Sequence, residues 1–268
     1  MEKDSAKQTV FWIMTIALVA LATPAASQVE EGEWGDAPEG ALAYSVSGVI
    51  GNFPTCAAVG PSSYIQHSTL GWAYFGPMVD FEFDGNAGQC PGFNPYDLDE
   101  CFADGDAGLL LPSAYTIVGG MEVPCTGPGG PLGNVCTMAS WGANVDIHVV
   151  NTMPVVGYAN VLMDWNQDGF WGGSNQNSCN APEHILINHP VPINYIGPLS
   201  GLMPPFFQIG GNMGFVWTRF TITDQPVPQN WDGSGVFEDG ETEDYLLYVD
   251  DPVATDQHSW STLKEIYR

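Results

Sequence analysis

The chain carries 31 Asp and Glu against five Lys and Arg over 268 residues, a formal net charge of −26. Phosphate backbones and anionic membrane surfaces are bound through clustered bases, so nucleic acid and acidic membranes are excluded as partners. A field of this size repels itself and is relieved by divalent cations, which makes calcium the first cofactor to consider.

At the N-terminus, Lys3 and Lys7 precede an apolar run over 10–22, and the small residues Thr23-Pro24-Ala25-Ala26-Ser27 follow. This is the pattern of a signal peptide, short for a bilayer span and cleavable after Ser27. Residues 1–27 are therefore expected to be lost on export, giving a secreted or cell-surface protein. Glu2 and Asp4 leave together with Lys3 and Lys7, so the net charge is unchanged and the remaining bases are Arg219, Lys264 and Arg268. No later segment is apolar enough to insert into a membrane.

Six cysteines without a CxxC spacing favour disulfides over zinc in an exported chain. Cys90–Cys101 and Cys125–Cys136 would each close a short Gly/Pro-rich loop, leaving Cys56–Cys179 as a long-range staple.

The body, 28–250, reads as one all-β domain. Short runs at 115–118, 146–150, 158–165, 184–188, 215–223 and 244–249 are bounded by Gly, Pro, Asn and Asp, and helical periodicity is missing. The expectation is a β-sandwich, jelly-roll or immunoglobulin-like in its antiparallel sheets, with long Gly/Pro/Asp-rich loops. A signal-peptide helix precedes it and a short helical tail, 251–268, follows as a sorting or docking segment. In 215–223, Val216, Thr218, Phe220 and Ile222 share one face, and Phe215, Trp217, Arg219 and Thr221 the other. Arg219 is the single base between the signal and the tail. It is expected to pair with Glu243 or Asp244, because a guanidinium grips a carboxylate bidentately.

The sharpest local motif is Asp164-Trp165-Asn166-Gln167-Asp168-Gly169, with oxygen ligands at alternate positions and then Gly for the turn. Position twelve is Asn175 instead of Glu and no helices flank it, so this is no EF-hand. Asp164, Asn166 and Asp168 are the candidate ligands of a calcium site on a β-loop; the plainer alternative is an Asx-type turn. The segment 232–244 holds six carboxylates within thirteen residues, and Asp232, Asp239, Glu241, Glu243 and Asp244 are further metal candidates. The linker 224–243 that holds most of them reads as a loop. Acids also gather at Asp80, Glu82 and Asp84 and over 97–106.

Catalytic signals are missing. The sequence has no HExxH, GxSxG or Walker motif, and its five histidines lack metal-ligand spacing. Paired carboxylates could hydrolyse glycosides, but pairs arise by chance in so acidic a chain. Trp165, Phe170 and Trp171 could instead form an exposed platform for sugars.

Three stretches together resemble a known family. Glu33-Trp34-Gly35-Asp36-Ala37-Pro38 resembles the opening of bacterial extracellular GEVED-domain proteins. The segment Val161-Leu162-Met163-Asp164-Trp165-Asn166-Gln167-Asp168-Gly169 is similar to their W-I-D-F-N-x-D-G segment. Arg219-Phe220-Thr221-Ile222 followed by Gly240-Glu241-Thr242-Glu243-Asp244-Tyr245 resembles their closing signature, with Thr242 in place of Val. The resemblance implies a secreted β-sandwich module and adds no catalytic residue. The reading is thus a non-catalytic structural or interaction module held by calcium and disulfides, with an extracellular protein or glycan as partner. A carbohydrate-binding module is the alternative, and a hydrolase the third.

Overall fold

The computed structural model describes residues 31–57, 63–85, 90, 107–126, 128–172, 174–175 and 179–251. The expected signal and tail helices, Cys101 and the acidic stretch 97–106 lie outside the described residues.

The described chain is built from short strands. β1 (Gly32–Glu33) leads to a hairpin of β2 (Glu39–Tyr44) and β3 (Val49–Asn52). β4 (Ile65–Ser68), β5 (Ala73–Phe75) and β6 (Leu109–Leu111) come next, then the hairpin of β7 (Tyr115–Val118) and β8 (Met121–Pro124). β9 (Pro131–Asn134) and β10 (Met138–Ala139) precede the longer β11 (Asp146–Asn151) and β12 (Gly157–Met163). The short pair β13 (Ser174–Asn175) and β14 (Ala181–Pro182) is followed by β15 (His184–Val191) and β16 (Tyr195–Pro198). A 3-10 turn, β17 (Phe207–Gln208), β18 (Gly214–Thr223), β19 (Gly235–Phe237) and β20 (Gly240–Asp250) complete the domain.

A seven-stranded sheet in the order β15-β12-β18-β20-β7-β8, with β9 also on β20, forms the middle of the protein. Its central strand pair, β18 and β20, is continuous from Gly214↔Val249 to Thr223↔Gly240. Strand alternation sends the two sides of this pair into separate cores. Val216, Phe220, Ile222, Tyr245, Leu247 and Val249 pack with Phe75, Ile147 and Val149, which belong to the four-stranded sheet β16-β11-β5 with β6. On the other side, Trp217 and Leu246 pack with Tyr44, Phe53, Ile65 and Phe237 from the β2–β3 hairpin, the β1-β4-β19 sheet and their loops, and with Trp171 from the segment after β12. The all-β sandwich is therefore present, and its central sheet is covered on both faces. That explains why β18 shows apolar residues on both faces instead of a clean polar–apolar alternation.

Two expectations are corrected. Residues 240–243 are not loop but the start of β20, where their backbone pairs with Thr223, Ile222, Thr221 and Phe220. The disulfides also differ, because Cys56 bonds Cys90 and Cys136 and Cys179 are free thiols. This rules out Cys90–Cys101, Cys125–Cys136 and Cys56–Cys179. Cys125 is itself disulfide-bonded. The two free thiols are hydrogen-bonded to one another, and burial followed by that contact pushes Cys179 up to about 11. Loop length alone favoured the local pairs, but the fold brings Cys56 and Cys90 together, where the Ala57 N–H also bonds Asp84.

Candidate functional site

Two buried carboxylate centres flank the central sheet, and between them they contain the sequence motifs. The first is built on Arg219 and Asp244, cross-strand partners in β18 and β20 and both fully buried. The guanidinium donates from Nε to Asp244 Oδ1 at 2.8 Å and from Nη2 to Oδ2 at 2.6 Å. Nη1 donates to the carbonyls of Pro54 and Gly233, and Nη2 also to Thr55 Oγ1. Asp244 Oδ2 in turn accepts the backbone N–H groups of Asp36 and Ala37 at 2.9 and 2.8 Å. A side chain at Gly35 would lie 2.5 Å from Arg219 Nη2 and 2.6 Å from Asp244 Oδ2, so only glycine lets the chain pass so close. Arg219 thus takes Asp244, one of its two expected partners. Glu243 points to the opposite face, where it accepts from Gly108 N–H and the Tyr245 hydroxyl.

The 232–244 segment is consequently not one metal cluster. Asp232 is exposed and caps the N–H and hydroxyl of Ser234. Asp239 accepts from the N–H groups of Trp72, Ala73 and Gly240, and Glu241 from that of Phe75. Alternation along β20 then places Glu241 and Glu243 on one face and Asp244 on the other. These acids are used as acceptors that staple the β5 and Gly108 backbone to the central sheet. His67, buried beside Thr242 and 3.7 Å from Glu33, is held neutral: burial, then the Arg219 charge, lowers it to about 3 against a bond to the Asp239 carbonyl.

The second centre lies at the end of β12. Asp164 is fully buried and its Oδ1 accepts the Asp168 N–H, while Oδ2 accepts the Gly169 N–H at 2.9 Å and the Tyr44 hydroxyl at 2.8 Å. Asn166 Oδ1 accepts the same Asp168 N–H, and Asp168 Oδ1 accepts that of Phe170. Gln167 and Gly169 take left-handed backbone angles, φ 59° and 84°, which wind the chain around Asp164. A Cβ at Gly169 would meet the Ile50 carbonyl at 2.9 Å, so the loop lies tight against the β2–β3 hairpin.

Sequence reasoning missed a third acid, Glu183, between β14 and β15. It is fully buried, its carbonyl accepts the Met163 N–H, and its Oε1 faces the Asn166 N–H at 3.4 Å. Its Oε2 is buried without a hydrogen-bond partner. Burial first, then the charges of Asp164 and Asp168, pushes Glu183 up to about 9. Burial likewise raises Asp164 to about 6 despite the Tyr44 and Gly169 bonds, and the Tyr44 hydroxyl is raised in its turn. A lone acid opening an apolar strand, Pro182-Glu183-His184-Ile185-Leu186, was the signal available in the sequence.

The donor chemistry of Asp164, Asn166, Asp168 and Glu183 is all hard oxygen, and the buried, unpartnered Glu183 Oε2 fits a cation such as calcium. As the side chains stand, no three His, Cys, Asp or Glu among the described residues converge as metal ligands. The loop oxygens are turned toward backbone N–H groups instead. As a pair with separated proton affinities, Asp164 and Glu183 resemble a general acid and base, but both are sealed from solvent and no substrate atom can reach them.

The sugar platform changes as well. Trp165 is completely buried and Trp171 nearly so, and of the three aromatics only Phe170 is exposed. Trp165 donates its indole N–H to the Pro182 carbonyl, and Trp171 packs on Phe53 and beneath the Arg219 guanidinium.

No family model, curated protein or solved structure matches the chain. No helix among the described residues is long and apolar enough to cross a membrane.

Proposed function

We propose that the chain is a secreted, non-catalytic structural or interaction module of the GEVED type, its loops held by disulfide bonding and by calcium at the Asp164 turn. One observation carries this reading. The stretches Trp34–Pro38, Arg219–Ile222 and Gly240–Tyr245, far apart in sequence, meet at the buried Arg219–Asp244 pair. These stretches of the resemblance are thus spent on joining layers, while the remaining one, 161–169, runs from β12 into the Asp164 turn. Its partner is an extracellular protein or glycan. Expressing the full chain in a secreting bacterial host tests the reading: the exported protein should begin at Gln28 and show no polysaccharide turnover. Retention of residues 1–27 in the cytoplasm, or turnover abolished by one carboxylate-to-amide change, would overturn it.

The carbohydrate-binding alternative is favoured by a different feature from the one first considered. A groove of about 330 Å³ is lined by Trp171, His184, Gln229, Asn230, Trp231 and Asp232. A glycan array in which Asn230→Ala abolishes a sugar-dependent signal would support it, and a blank array would remove it.

A further inference from the structure

We propose that Glu183 completes a calcium site with Asp164, Asn166 and Asp168, standing where the turn's own sequence supplies no late acid. The inference rests on the calcium reading above and names a further ligand for that site.

Glu183 is the observation that lifts this turn above an ordinary Asx motif. A buried carboxylate oxygen without a hydrogen-bond partner loses its hydration with nothing in return. Its carboxylate neighbours, Asp164 and Asp168, add repulsion. The protein has little else to neutralise them, because Arg219 is the one Lys or Arg between residues 8 and 263 and is already bonded to Asp244. A divalent cation that displaces the Glu183 proton answers all three carboxylates at once.

The loop geometry suits that ion. In a tight calcium loop the alternate side chains at positions one, three and five face inward, and a bidentate Glu arrives from further along the chain. Here the Asp164 carboxylate already gathers the Asp168 and Gly169 N–H groups, which fixes the curl of the loop. Each carboxylate oxygen retains a second lone pair for a metal while it accepts an N–H. Glu183 is anchored next to the loop from the neighbouring strand, through the Met163 N–H bond to its carbonyl. Calcium binding would draw the Asp168 and Glu183 carboxylates in to Asp164, since the acids do not converge as they stand. Tyr44 closes the inner side with its hydroxyl on Asp164 Oδ2.

The test is calcium titration by calorimetry on the mature, disulfide-bonded chain, alongside melting in millimolar calcium and in chelator. Wild-type protein should bind calcium and melt higher with it, and Glu183→Gln should weaken binding roughly a hundredfold, since ligand charge sets calcium affinity over several decades. In chelator Glu183→Gln should melt no lower than wild type, so that lost binding cannot be blamed on lost folding. Glu183→Asp, which keeps the charge but shortens the arm, should also bind more weakly, while Asp232→Asn should bind as wild type. Terbium luminescence sensitised by Trp165 and Trp171 gives a second readout in the same variants. If Glu183→Gln and Glu183→Asp both bind calcium like wild type, Glu183 is not a ligand and only this inference falls. If wild-type protein neither binds calcium nor shifts its melting, the calcium reading falls with it.

Discussion

Asp244 and Glu183 are both closed to solvent, yet their surroundings are opposite. Asp244 has a bidentate guanidinium and two backbone N–H donors, and its partner Arg219 is itself saturated by two carbonyls and a threonine. Glu183 has an oxygen without a donor and two acids for neighbours. The same residue class therefore serves two ends in one protein. Where charge is matched internally, a carboxylate locks strands and loops together. Where it is left unmatched, the fold carries a cost that a ligand can remove.

The comparison breaks most severely at Arg219. Arg219→Met leaves Asp244 buried with its two N–H bonds but no counter-charge, and should cost about 3–5 kcal/mol in urea or thermal unfolding. Lys264→Met should leave the midpoint unchanged; equal midpoints for the two variants would show that the pair does not hold the fold. The Cys56–Cys90 disulfide comes next. It tethers the segment whose Pro54 carbonyl and Thr55 hydroxyl receive Arg219, across a sequence separation of 34 residues. On chain entropy, Cys56→Ala/Cys90→Ala should lose roughly 3–4 kcal/mol, read from the same unfolding curves.

A pH series probes the Arg219 centre from a third side. His67 faces Glu33, Thr242, the Asp239 carbonyl and the Arg219 charge, and its folded value of about 3 lies below the ordinary 6.5. The unfolded chain takes up a proton first as pH falls, so the stability contributed by neutral His67 is full above 6.5 and is lost as pH drops toward 3. Between pH 6.5 and 5 that loss should reach about 2 kcal/mol. His67→Gln should flatten this part of the stability profile, and an unchanged slope would show that His67 does not set the acid lability.

Much of the scaffold was legible because strand alternation is local. The two faces of 215–223, the strands at 115–118 and 146–150, and the choice of Asp244 or Glu243 for Arg219 follow from period-two spacing and from the rarity of bases. The start of β20 was not legible, since Gly240-Glu241-Thr242-Glu243-Asp244 is rich in residues that usually leave sheets. Its acids are tolerated there because neighbouring backbone N–H groups and Arg219 donate to them. Cysteine pairing and Glu183 depend on which strands lie side by side, and that information is tertiary. Trp165 and Trp171 misled for a related reason: an aromatic beside a polar loop reads as exposed until the strand behind it turns inward.

The smallest expected effect is the most direct measure of whether Asp164 and Glu183 form one electrostatic unit. The Tyr44 hydroxyl donates to Asp164 Oδ2 and accepts the Trp217 N–H, so Tyr44→Phe removes one bond to a charge and leaves a buried donor unpaired. Its cost in calcium-free buffer should be about 1–3 kcal/mol. Above about pH 9, where Glu183 ionises, part of that cost depends on Glu183, because a nearby negative charge makes every donor to Asp164 more valuable. In a Glu183→Gln background Tyr44→Phe should therefore cost less, with a coupling of about 0.5 kcal/mol or more in a double-mutant cycle. Additive effects would mean that the two carboxylates are neighbours without being coupled, and the contrast with the Arg219–Asp244 centre would lose its electrostatic basis.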